Sequence, residues 1–276
     1  EGDRVGYMKI SGDGKKILAV VASTGQNYLC MIDLNTMSNK KIYQSGSDWM
    51  TNGDISHCGK YVCFYQRESS AFIINSDGSN LRKLSITSGD ESGYPAFSPD
   101  GTKIAFAQFN SNKYSIYVTN IDLSNPKKVC ESNQFPENIC FSYDGQDIYS
   151  PMDQELYKIN INTMSKTQVF NETGVWGVVQ SQNGYKLAYV KYNNNNSTSL
   201  WTVNPNGSEK KQITLPAETG GVNVNISVDG QYILYFYEGP ESGNKIGKSD
   251  GTNTRGLTEV IGLPNLTDAI WYPQVS

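Results

Sequence analysis

Apolar residues fall along this chain in short runs broken by turn residues, and only brief stretches carry the rhythm of a helix. The clearest stretch is Tyr94-Pro95-Ala96-Phe97-Ser98-Pro99-Asp100-Gly101-Thr102-Lys103-Ile104-Ala105-Phe106. Phe97 and the Ile104-Ala105-Phe106 run are apolar β formers. Pro99-Asp100-Gly101 between them is a turn signal, with glycine free to take positive φ. The pattern predicts strand, tight turn, strand.

Imperfect copies recur along the chain. Aligned on the serine before each turn, they are Ser11-Gly12-Asp13-Gly14, Ser56-His57-Cys58-Gly59, Ser98-Pro99-Asp100-Gly101, Ser142-Tyr143-Asp144-Gly145, Ser181-Gln182-Asn183-Gly184 and Ser227-Val228-Asp229-Gly230. The serines are 45, 42, 44, 39 and 46 residues apart. One residue before them stand Ile10, Ile55, Phe97, Phe141, Gln180 and Ile226, an almost wholly apolar column. Each unit supplies four short strands, A to D. The predicted B strands are 17–21, 61–65, 104–107, 148–150, 187–190 and 233–237, and the C strands are 28–32, 71–74, 115–118, 156–159, 200–203 and 245–248. Successive apolar residues in the B strands predict sheets packed on both faces. The D strands are short and basic, as in Lys40-Lys41-Ile42, Arg82-Lys83-Leu84 and Lys127-Lys128-Val129, a composition that guards an exposed sheet edge.

A period of this length with four strands per unit predicts an all-β, six-bladed β-propeller of four-stranded antiparallel blades. The units run over 6–48, 49–91, 92–134, 135–174, 175–219 and 220–262, one domain over 1–276. In the tail, 263–276, Tyr272-Pro273-Gln274-Val275-Ser276 repeats the Tyr94-Pro95-Ala96-Phe97-Ser98 pattern and predicts a surplus inner-type strand.

The third copy, with Ile116-Tyr117-Val118 after it, resembles the TolB-type propeller repeat. That resemblance implies a scaffold rather than one activity, because similar propellers dock partner proteins, cap peptidases or cleave pectate oligomers. It also implies an extracytoplasmic location: periplasmic, cell-surface or secreted. The start at Glu1-Gly2-Asp3 agrees with a mature or excised form.

Composition narrows the partners. The 276 residues carry a formal net charge of −4, which argues against nucleic acid, and no apolar run approaches the length of a membrane span. The five cysteines, Cys30, Cys58, Cys63, Cys130 and Cys140, show neither CxxC pairs nor zinc spacing and read as small buried residues, Cys58 excepted. His57 is the one histidine, in a turn. The propeller lyases use a histidine cluster around a metal, which one histidine cannot supply, so that function does not carry over. No nucleophile elbow, phosphate loop or dinucleotide fingerprint is present. The expectation is a non-enzyme without a cofactor, a channel-bound cation such as calcium being the one cofactor left open.

Acidic and aromatic residues recur before the aligned serines, in the D-to-A loops. They are Asp48 and Trp49; Asp90, Glu91 and Tyr94; Glu131 and Phe135; Glu172 and Trp176; Glu218; Asp268 and Trp271. Propeller topology places these loops on one face, around the channel mouth, where they predict a negative, aromatic binding surface. The expected partner is a protein or peptide with a basic segment. The alternative is a carbohydrate-binding or carbohydrate-processing propeller at the cell surface, since exposed aromatics beside carboxylates suit sugar stacking. The protein is expected to be a monomer or a domain of a larger one.

Overall fold

A computed structural model describes residues 4–23, 25–46, 50–66, 70–86, 91–110, 113–136, 138–193, 197–216, 219–237 and 243–256. The first sheet comprises β1 (Arg4–Ile10), β2 (Lys16–Ser23), β3 (Gln26–Asp33) and β4 (Ser38–Ser45). The second comprises β5 (Met50–Ile55), β6 (Tyr61–Gln66), β7 (Ser70–Asn75) and β8 (Arg82–Lys83). The third holds β9 (Ser92–Phe97), β10 (Lys103–Asn110), β11 (Lys113–Asn120) and β12 (Lys127–Ser132). In the fourth are β13 (Cys140–Phe141), β14 (Asp147–Met152), β15 (Glu155–Asn160) and β16 (Lys166–Gln168). The fifth holds β17 (Val175–Gln180), β18 (Leu187–Tyr192), β19 (Thr198–Val203) and β20 (Lys211–Ile213). The sixth holds β21 (Val222–Ile226), β22 (Tyr232–Tyr237), β23 (Gly243–Lys248) and β24 (Arg255–Gly256). Each sheet is an antiparallel meander in chain order, and together they form a six-bladed β-propeller. Among the described residues there is no helix. The surplus strand expected in 263–276 lies outside the described residues.

The repeat works through local chemistry. Ser98 Oγ donates to Asp100 Oδ1 at 2.5 Å and accepts the Lys103 amide at 2.9 Å, while Asp100 accepts the Thr102 amide at 3.0 Å. Ser142 with Asp144, Ser181 with Asn183 and Ser227 with Asp229 repeat the clasp at 2.6–2.7 Å. The six turn glycines, from Gly14 to Gly230, sit at φ between +64° and +77°, where a Cβ is penalised.

Because side chains alternate along a strand, each blade feeds two cores. Val62 and Phe64 of β6 face sheet one, packing with Leu18 and Leu29, while Cys63 between them faces sheet three with Phe97 and Phe106. Similar apolar clusters join sheets three to four, four to five and five to six. A fully buried Phe64 or Phe106 contributes roughly 1.5–3 kcal/mol by leaving water.

The basic D strands do more than guard edges. Lys40 Nζ donates to the Asp77 carbonyl of sheet two (2.8 Å), Arg82 to the Ile121 carbonyl of sheet three (3.0 Å), and Lys127 to the Ile161 carbonyl of sheet four (2.8 Å). These three outer strands thus tether the next blade. One expected loop residue is displaced: Glu131 lies within β12 rather than in the D-to-A loop.

Candidate functional site

The inner strands β1, β5, β9, β13, β17 and β21 surround a central cavity of about 450 Å³. Each A-B turn places the residue after its serine at the cavity mouth: Gly12, His57, Pro99, Tyr143, Gln182 and Val228. These turns interlock. A Cβ on Gly12 would lie 1.9 Å from His57 Nδ1, so the imidazole packs over bare backbone. The Asp13 amide donates to the His57 carbonyl at 2.9 Å. His57 is exposed and lies in a turn as expected, and it is also packed against its neighbouring turn.

The opposite end of the ring carries the B-C and D-to-A connections, where the candidate binding residues were expected. Tyr94 is there, in the bulge that shifts the β9–β10 register, at φ +49°. An aromatic residue in left-handed backbone costs roughly 1–3 kcal/mol and persists where surrounding contacts impose it. Its ring stacks on Tyr65 (centroids 5.5 Å) and tilts against Phe135 (5.2 Å). Phe135 meets Tyr114 edge-on at 5.0 Å, and Tyr114 contacts Phe109 at 4.8 Å. Glycine makes room for this cluster, since a Cβ on Gly93 would stand 2.6 Å from Phe135 Cζ. Five rings from sheets two and three and the loop after β12 therefore touch in series at one end.

Trp176 forms a second group. It stacks on Tyr192 with centroids 5.2 Å apart and planes 16° apart. Its indole lies against the core between sheets five and six, and its Nε1 is buried without a hydrogen-bond partner. Tyr192 is 50% exposed. Tyr94, Phe135 and Trp176 are half-buried, so they plug blade junctions as well as facing outwards.

Of the acids expected at this end, Glu91, Glu131 and Glu172 are among the described residues. Glu131 is ion-paired with Lys128 of its own strand and with Lys113 at 3.6 Å, and the Lys128 ammonium holds its carboxyl below the usual range. Glu172 is held between Lys191, at 3.3 Å, and Lys210. Those lysines offset the charge at these two positions. Glu91 is exposed, and its carbonyl receives the Phe109 amide at 2.9 Å. Asp48, Trp49, Asp90, Glu218, Asp268 and Trp271 lie outside the described residues. Sequence reading missed Tyr65, Phe109, Tyr114 and Tyr192. For Tyr65, Phe109 and Tyr192 the signal available was an aromatic at the end of a B strand, before the B-C turn, and Tyr114 opens the C strand that follows Phe109.

No protein-family model matches the sequence. Among solved structures the chain is similar to an oligogalacturonate lyase in complex with manganese, at 14% identity and TM-score 0.71, over 92% of this chain and 77% of that one. It is also similar to a putative TolB from Agrobacterium tumefaciens, at 17% identity and TM-score 0.64, over 91% and 89%. A third is the β-propeller domain of Cps50 (Swd1) from Myceliophteria thermophila, at 12% identity and TM-score 0.66, over 93% and 88%. What these proteins share with the chain is the fold. Among the described residues no three His, Cys, Asp or Glu side chains group as a metal site.

Proposed function

We propose that the chain is a single, non-enzymatic binding propeller, working outside the cytoplasm, that docks a protein or peptide on the end bearing the D-to-A and B-C loops. The observation that carries this reading is Tyr94, held at φ +49° inside a five-ring cluster on that end. Backbone strain maintained by surrounding contacts concentrates at functional sites. Aromatic side chains half-sunk in the scaffold and half-open to solvent are also the residues that anchor interfaces. The half-exposed Tyr192, backed by Trp176, supplies a second anchor.

The partner's basic segment meets Glu91, with Asp90 beside it in sequence, since Glu131 and Glu172 are already held by lysines. The likeness to a putative TolB and to the Cps50 propeller supports a scaffold role, and the TolB likeness supports the extracytoplasmic location. The test is calorimetric titration against peptide and glycan panels. A basic peptide should bind, weaken as salt rises from 0.1 to 1 M while the Debye length shrinks from ~10 to ~3 Å, and lose roughly 30-fold in affinity in Tyr192→Ala. Binding of glycans alone would replace this reading with the carbohydrate one.

A further inference from the structure

Of the four exposed tyrosines among the described residues, Tyr192 alone stands at the end used for docking. Tyr143, Tyr185 and Tyr232 lie at the opposite end, in or beside the A-B turns of sheets four, five and six. They occupy three different positions of the repeat: Tyr143 follows the turn serine, Tyr185 follows the turn glycine, and Tyr232 opens β22. The ring of blades sets them on one side of the cavity mouth, where Tyr143 and Tyr232 line the cavity itself.

The three turns are locked to one another. The Tyr143 amide donates to Gln180 Oε1 at 2.8 Å, and Gln180 Nε2 donates to the Gly184 carbonyl at 3.2 Å. A Cβ on Gly184 would stand 3.3 Å from Tyr143 Cβ, so the tyrosine rests on the turn of sheet five. The Asn183 amide in turn donates to the Val228 carbonyl of sheet six at 3.0 Å. Rings held by turns fixed in this way lose little freedom when a ligand settles on them.

The chemistry around these rings is polar and uncharged. On the side of the cavity formed by sheets four to six, no lining residue is charged. Across the cavity Lys9 and Asp54 are paired at 2.6 Å, and at the rim Lys186 is paired with Glu209 at 2.9 Å. Asp144 and Asp229 hold the serine clasps of their own turns. Gln182 and Asn225 line the same side, and no hydrogen bond joins their carboxamides to another described residue. A carboxamide donates through nitrogen and accepts through oxygen, and a hydroxyl likewise does both. An ionic ligand would give up its water here without meeting a counter-charge. A pyranose ring matches both features: the C–H groups of its faces lie on an aromatic ring, and the hydroxyls of its edge reach the carboxamides. Tyrosine suits that contact, with an apolar body and a polar tip. A proline-rich peptide also packs on tyrosines, but its proline carbonyls only accept and leave the carboxamide oxygens without a donor.

We propose that this end of the propeller, over sheets four to six, binds a neutral oligosaccharide, with sugar faces on Tyr143, Tyr185 and Tyr232 and hydroxyls on Gln182 and Asn225. The site stands independently of the docking reading, which uses the other end.

Calorimetric titration with cellohexaose, xylohexaose, mannohexaose and N-acetylchitohexaose tests this. Hexagalacturonate, which adds charge, and decaproline, which lacks hydroxyls, are the controls. At least one neutral hexaose should bind saturably, and each control should bind at least roughly ten-fold more weakly. Because no charge is involved, the hexaose affinity should stay constant as salt rises from about 0.1 to about 1 M. Tyr232→Ala and Asn225→Leu should each weaken the hexaose by roughly ten-fold, a thermal melt reporting that each variant folds. The proposal is overturned if no neutral hexaose binds saturably, if either control binds as well, or if folded Tyr232→Ala or Asn225→Leu retains full affinity. A hexaose displaced only by Tyr192→Ala would sit at the opposite end and would overturn it as well.

Discussion

Two turn glycines allow conformational strain and steric overlap to be separated. Gly101, in the A-B turn of sheet three, sits at φ +67° with open space around it, the nearest atom to an added Cβ being His57 N at 4.0 Å. Gly101→Ala therefore meets only the left-handed backbone penalty, about 1–2 kcal/mol, partly offset by about 0.4–1 kcal/mol from the stiffer unfolded chain. The net expectation is about 1 kcal/mol of destabilisation. Gly207, in the C-D turn of sheet five, sits at φ +83°, and its Cβ would lie 2.5 Å from the Val169 carbonyl oxygen of sheet four. No flexible side chain can yield there, because the obstacle is backbone. Gly207→Ala adds a forced shift of two blades, comparable with core overpacking at about 1–3 kcal/mol, for a total of about 2–4 kcal/mol. Urea unfolding with the denaturant slope checked for constancy reads both values. A Gly101→Ala loss equal to or larger than that of Gly207→Ala would refute the reasoning, since the blades would then not touch as described.

Phe106, buried in the core between sheets two and three, should cost about 3–5 kcal/mol when truncated in Phe106→Ala, read from the same urea curves. Stability should also fall at acid pH through the turn clasps. Hydrogen bonds from Ser142 and from the Gln146 amide hold the Asp144 carboxyl below its ordinary 3.8, so its contribution is present above about pH 4 and lost as pH drops through the lowered folded value. Ser142→Ala should flatten that part of the stability–pH profile, and an unchanged profile would count against the clasp. Lys127→Met should lower the melting temperature modestly, by removing the tether to the Ile161 and Asn162 carbonyls of sheet four.

How much of this was legible in the sequence follows from the range of each interaction. The serine clasp acts over five residues, so the Ser-x-Asp-Gly spacing located the turns and, through their period, the six blades. The apolar doublets of the B strands foretold sheets buried on both faces for the same local reason. Ion pairs reach across blades and strands. Nothing near Glu172 in sequence announces Lys191 or Lys210, and nothing near Glu131 announces Lys113 on the neighbouring strand. The left-handed Tyr94 was beyond reach, because tyrosine carries no preference for that conformation and the surrounding rings impose it.

The docking reading predicts which end of the propeller meets a partner, and two exposed tyrosines report on the two ends. Tyr192 stands at the B-C and D-to-A end, 50% exposed, and Tyr185 at the A-B turn end, 73% exposed. A photoreactive phenylalanine placed at each position in turn, irradiated with a binding peptide from the panel, compares them directly. The account predicts a covalent adduct from position 192 and none from position 185. Adducts from position 185 alone would contradict it and move the binding surface to the opposite face.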